Sequence, residues 1–228
     1  MAYRAGGQRY VPRPFPEGHE ARAYLQDYAA LLEAVAFPSV VLDQRWNTVI
    51  ANTAFRTLFR EVGPHPTAMP EDNFLRFVLF HPDASTVLGD HEARWCLPML
   101  AQFAAVLERS GDDHELQAIR REIAQDPIME AAYRHGLPLW IREAGPAGVA
   151  LDGAVRPLLH PDPRWGATDC RVVTEATETL QEDLGCVRLT LVLREPRKAR
   201  PQHTARRAGA RAGRRAGGHL TVVPSTEG

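Results

Sequence analysis

The stretch SVVLDQRWNTVIAN, residues 39–52, reads as two short strands and the start of a helix. Ser39 to Leu42 is a β-prone apolar run, Asp43-Gln44-Arg45 supplies a turn, and Trp46 to Ala51 returns as the second strand of a hairpin. Asn52 then stands at an N-cap position ahead of Ala54, Phe55, Leu58 and Phe59. Upstream, Tyr24, Leu25, Tyr28, Leu31, Leu32 and Val35 recur at helical spacing, so 19–36 is expected to be an amphipathic helix stopped by Pro38. Downstream, 61–72 carries three prolines and reads as a loop.

The middle of the chain has helical periodicity. Asn73, Asp83, Asp90, Asp112-Asp113 and Asp126-Pro127 each stand where a helix would begin, and Gly136 reads as a C-terminal stop. Pro98 must lie near the start of the helix opened at Asp90, or kink it. After Gly136 the period becomes two: Val149 with Leu151, Val155 to Leu159, Cys170 to Glu178 and Cys186 to Arg194 read as strands. In the last of these, Val187, Leu189, Leu191 and Leu193 face one way and Arg188, Thr190 and Arg194 the other, as in a sheet with one buried face. Two early strands, several helices and about three late strands predict an α+β domain, an antiparallel sheet with helices packed on one face.

The 228 residues carry a formal charge of −1, which conceals a division. From Arg197 onward eight basic side chains face one acid, a net of +7 that leaves −8 for residues 1–196. The longest nearly apolar run, Leu97 to Leu107, is too short to span a bilayer. The N-terminus lacks the apolar core of a secretory signal. Cys96, Cys170 and Cys186 are widely spaced, which suits a reducing cytoplasm and argues against a disulfide framework or a thiolate zinc site. The expected organisation is an extended leader (1–18), a folded domain (19–196) and a disordered basic tail (197–228).

Several strings together resemble the ligand-binding domain of MmyB-like transcription regulators. They are Val40 to Trp46, Asn52-Thr53-Ala54, Leu58-Phe59, Asn73 to Arg76, Phe80-His81-Pro82 and His160-Pro161, with the helix at 90–109, the segment 126–135 and the closing strand. The resemblance covers roughly residues 20–196. It implies a PAS-like fold, an antiparallel sheet of about five strands whose helices enclose a pocket for a small, fatty-acid-like ligand. The family's usual N-terminal helix-turn-helix has no counterpart in the 18 residues before the first helix, so its DNA binding is not carried over.

Each candidate site residue has two readings. Trp46 forms a pocket wall or belongs to the core; Asn52 reaches a ligand head group or only caps a helix. Phe55, Phe74, Phe77, Phe80, Trp95 and Phe103 line an apolar cavity or fill a core. Arg76 pairs with a ligand carboxylate, faces solvent, or bonds an acid such as Asp72. Two His-Pro-Asp triplets, at 81–83 and 160–162, are explained by turn chemistry. No GxSxG, glycine-rich phosphate loop or metal-ligand spacing occurs, so neither enzyme, cofactor nor metal is expected.

The sequence thus predicts a cytoplasmic, ligand-sensing regulatory domain, with a homodimer or a DNA-binding partner protein as its output and no membrane contact. The alternative is a nucleic-acid-associated protein. Its contact would be weak and non-specific, made through Arg206, Arg207, Arg211, Arg214 and Arg215 of the tail.

Overall fold

A computed structural model describes residues 18–194. The expected leader (apart from Gly18) and the basic tail with its five candidate arginines lie outside the described residues. The first helix, α1 (His19–Glu33), ends three residues earlier than its periodicity predicts. β1 (Ser39–Asp43) and β2 (Thr48–Ala51) then form the hairpin, pairing Val40 with Ala51 and Val41 with Ile50. β2 starts two residues later than expected because Trp46 and Asn47 belong to the connection. The Asp43 carboxylate accepts from the backbone N–H of Arg45 (2.7 Å) and of Asn47 (2.8 Å), which holds a wider loop than a tight turn.

β3 (Val155–Leu159), β4 (Ala167–Glu175) and β5 (Cys186–Leu193) complete one sheet of order β2-β1-β5-β4-β3, every neighbour antiparallel. This is the α+β, PAS-like arrangement of five strands. The alternation in β5 explains its central place: Leu189, Leu191 and Leu193 join Val40, Leu42, Cys170 and Val172 in the principal core. Most helices cover that face. α1 lies on the other, where Tyr28 and Leu32 pack with Val41, Cys186, Leu180 and Leu184.

Five short or medium helices follow the hairpin: α2 (Thr53–Leu58), α3 (Phe74–Phe80), α4 (Ala84–Val87), α5 (Leu97–Arg109) and α6 (His114–Gln125). The side chains of Asn52, Asn73 and Asp113 accept from the first-turn N–H groups of α2, α3 and α6. Asp83 departs from expectation: its carboxylate accepts instead from Gly63 N–H (2.9 Å), pinning the proline-rich loop. At Gly89 the chain crosses β3 so closely that a Cβ would lie 3.0 Å from the Pro157 Cβ, so any side chain there would push the strand aside.

α7 (Pro127–Ala131) and α8 (Leu137–Val149) correct the reading of Gly136 as a stop and of Val149 as a strand. Gly136 keeps helical angles, φ −71° and ψ −47°, and the helix continues because Leu137 buries against the core. Both long helices begin alike. A π-turn, Glu92–Cys96 or Ala132–Gly136, closes with the N–H of Leu97 on Glu92 O or of Leu137 on Ala132 O. In each case the next residue is a proline, Pro98 or Pro138, which has no N–H to continue the ladder. α8 is broken again at Gly145, whose φ of +65° precedes Pro146.

Candidate functional site

The hairpin loop holds Trp46 in a conformation that side chains rarely adopt, φ +63°. Its neighbours over-determine it. Trp46 O accepts from Phe74 N–H (2.9 Å), and the Asn73 amide donates to Arg45 O (2.9 Å) and to Asn47 Oδ1 (2.8 Å). Arg45 Nε donates to Asp113 Oδ2 at 2.7 Å, tying the loop to the start of α6. The indole is thereby turned inward, buried, 6.5 Å from the Phe103 ring.

Asp113 links this loop to pH. Burial pushes its carboxyl up, but the Arg45 guanidinium and the N–H groups of Leu116 and Glu115 outweigh burial and hold it below the usual carboxylate range. A depressed folded pKa contributes stability above the unfolded pKa, lost as pH falls through the folded one. Asp113→Asn keeps a competent N-cap but removes the charge, so it should cost about 1 kcal/mol at neutral pH. Its Tm should also fall less steeply than that of the parent between about pH 5 and about pH 3. Unchanged Tm curves at both ends would refute the assignment.

The aromatic residues expected at the site come together. Phe55, Phe77, Trp95 and Phe103 are fully buried, joined by Phe59 and Phe74, while Phe80 is half-buried at the margin. Ring centroids lie 4.8 Å apart for Phe55–Phe59, 5.0 Å for Phe59–Phe77 and 6.2 Å for Phe55–Phe74. At these separations the rings touch each other and leave no room for another molecule between them. Arg76 stands at the edge of this cluster, and its Nη1 pairs with Glu122 Oε2 of α6 at 2.7 Å, not with Asp72. Asn52 uses its whole side chain within the protein: Oδ1 accepts from Ser39 and Phe55 N–H, and Nδ2 donates to the carbonyls of Leu32, Val35 and Phe37.

Clefts open elsewhere among the described residues, and three of them are lined by none of the eight expected site residues. One of about 530 Å³ lies by Leu88, Gly89, Pro157 and Thr168, and another of about 590 Å³ by Val87, His160 and Gly166. The third, about 360 Å³, lies between α8 and the first turns of the preceding long helix, with Arg94, Trp140 and Arg156 in its lining.

Arg156 is the residue that sequence reasoning missed. β3 points it inward beside Leu158, and only 3% of it is exposed. It stacks over the Trp95 ring, 5.4 Å from guanidinium carbon to ring centroid, while Trp95 Nε1 donates to Pro157 O at 3.0 Å. Burial first, and then the neighbouring cation Arg94, lower its pKa to about 10. The signal was present in the strand Val155-Arg156-Pro157-Leu158, where strict alternation puts a charge on the same side as a core leucine.

The cysteines and the two His-Pro-Asp triplets have structural settings. Burial pushes the Cys96, Cys170 and Cys186 thiols up to about 12, so none is a nucleophile near neutral pH. No group of three potential metal ligands occurs among the described residues. Both His-Pro-Asp triplets fold as the same turn, with the histidine Nδ1 accepting from the aspartate N–H at 3.0 Å, in His81/Asp83 and in His160/Asp162. No helix among the described residues is long and apolar enough to cross a membrane.

A search of curated proteins found no match to this chain. Residues 26–136, from within α1 to the turn before α8, match the family model of the MmyB-like transcription regulator ligand binding domain, and it is this family that the described domain resembles.

Proposed function

We propose that this chain is the ligand-sensing domain of a cytoplasmic MmyB-like regulator, non-enzymatic, spanning residues 19–196 and taking a small apolar or fatty-acid-like ligand. The observation that carries this reading is the family match over residues 26–136. The ligand enters beneath the helices on the principal face of the sheet, against Trp46, Phe55, Phe77, Phe80, Trp95 and Phe103, with Arg76 and Asn52 at the margins. These rings are in mutual contact, so uptake requires the helical cover to repack. Two π-turns and the break at Gly145 are the places where that cover yields at least cost.

The output runs through α1. Asn52 bonds the carbonyls of Leu32, Val35 and Phe37 on one side and caps α2 on the other, so a shift of α2 reaches the end of α1 through a single side chain. From there a second copy of the chain or a DNA-binding partner protein reads the state. Thermal unfolding with a series of saturated fatty acids and the matching alcohols tests the reading. A rise in Tm of several degrees, growing with chain length to an optimum, is expected. No shift with any member, and no apolar molecule retained in native mass spectra of the purified protein, would end it.

A further inference from the structure

Pro98 leaves an orphan carbonyl, and a charged side chain fills the gap. With no N–H at Pro98, the carbonyl of Arg94 four residues earlier has no helical partner. Arg156 Nη1 donates to it, and Nη2 reaches Ala150 O at the end of α8 at 3.5 Å. Its Nε is buried with no partner. Neutral carbonyls need only a neutral donor, yet a full charge is held here. Among the described residues no carboxylate pairs with Arg156 or with Arg94, whose Nη2 is spent on Val155 O at 2.8 Å. Two guanidinium groups thus share one cleft without an acid, an arrangement that favours a bound anion.

The rest of the cleft has a different character. Its walls are Pro98, Trp140, Ala144, Ala147 and Gly148, small or apolar surfaces, and about 360 Å³ is open between them. The wall from α8 straddles the break at Gly145, so it can move without unwinding a continuous helix. Beneath Arg156 lies Trp95, which belongs to the aromatic core. Cation and apolar surface therefore adjoin, and the apolar surface leads inward.

We infer that the cleft between α8, the start of the α5 helix and β3 binds the carboxylate of an amphipathic small molecule, with Arg156 and Arg94 on its oxygens and its chain against Trp140 and Pro98. This rests on the reading of the domain as a ligand sensor and supplies the head-group site that the aromatic core lacks. Arg76 is already paired with Glu122, and Asn52 has no donor to spare. A carboxylate seated here would join the sheet to α8, so its arrival and departure would be felt by the cover of the core.

The test compares dodecanoate with dodecanol, equal in chain and different in charge, by isothermal titration of the full chain. The wild type should bind dodecanoate about 10–100-fold more tightly than dodecanol, the range set by charge-assisted hydrogen bonds. Arg156→Met should erase that preference while leaving dodecanol binding in place, and Arg94→Gln should reduce it several-fold. Ala147→Phe, on the exposed wall, should weaken dodecanoate binding without touching either arginine, and it serves if Arg156→Met does not fold. Equal binding of both compounds to the wild type, or a preference that survives both arginine substitutions, overturns the carboxylate site and leaves the ligand-sensor reading standing. Binding of neither compound overturns both.

Discussion

Asn52→Ala is expected to destabilise the domain by about 4 kcal/mol, a large part of the roughly 5–15 kcal/mol that holds a domain of this size. The residue is 1% exposed, and its amide has five hydrogen-bond partners, two of the three carbonyls sharing one N–H. Its Oδ1 accepts from Ser39 N–H at 3.0 Å and Phe55 N–H at 2.9 Å. Its Nδ2 serves three carbonyls, Leu32 at 3.2 Å, Val35 at 3.0 Å and Phe37 at 2.9 Å. Truncation strands the N–H groups of Ser39 and Phe55 and the carbonyl of Val35 in a space that water reaches poorly, and each stranded group costs about 1–3 kcal/mol, while the Leu32 and Phe37 carbonyls keep the Val35 N–H and the Ser39 hydroxyl. Asn52→Asp separates the two halves of the role. It keeps the acceptor side, loses the donors and sets a negative charge against three carbonyl oxygens, so it should be little better than alanine. Urea denaturation decides the matter, and a loss under about 1 kcal/mol for the alanine variant would show that the network relaxes. The position also joins α1, β1 and α2, elements on both sides of the sheet, so a folded variant should transmit ligand binding to α1 weakly if at all.

Trp95→Ala should cost a similar amount, about 3–5 kcal/mol, for a different reason. The indole is fully buried, packs in the principal core and gives its Nε1 proton to Pro157 O. Removing it opens a cavity, leaves that carbonyl with the Gly89 N–H alone and takes the aromatic face from beneath Arg156. A cavity walled by apolar side chains stays dry and accepts an apolar guest. Indole should therefore raise the Tm of Trp95→Ala and leave the parent unchanged. Absence of rescue, with a loss near the low end of the range, would mean that the π-turn at Glu92–Cys96 collapses into the space.

Much of the domain could be read from local chemistry. Asn52, Asn73, Asp113 and Asp126 cap helices because short polar side chains before an apolar period have few better uses, and all four accept the expected N–H groups. Asp83 shows the limit of that reasoning, since the loop that delivers Gly63 to its carboxylate is distant in sequence. Gly136 shows another. A glycine reads as a stop only if nothing favours continuing, and the burial of Leu137 does favour it. The site divides in the same way. That Phe55, Phe77, Trp95 and Phe103 would be inside was legible from helical spacing; that their rings close on one another was not, because periodicity carries no distance.

By itself the sequence determined the hairpin, the capped helices, the one-sided alternation of the last strand and hence an α+β sheet domain, since each follows from interactions within about ten residues. The tertiary structure alone decided which partner each polar group found. Arg76 took Glu122, Asn52 gathered three carbonyls from the segment after α1, and Arg156 met the carbonyl that Pro98 had left open. These pairings join residues 15 to 62 positions apart, and long-range pairing is set by how the layers pack rather than by the local pattern. The same packing left Arg156 buried and, among the described residues, without a carboxylate, an outcome that no local pattern of the strand announces.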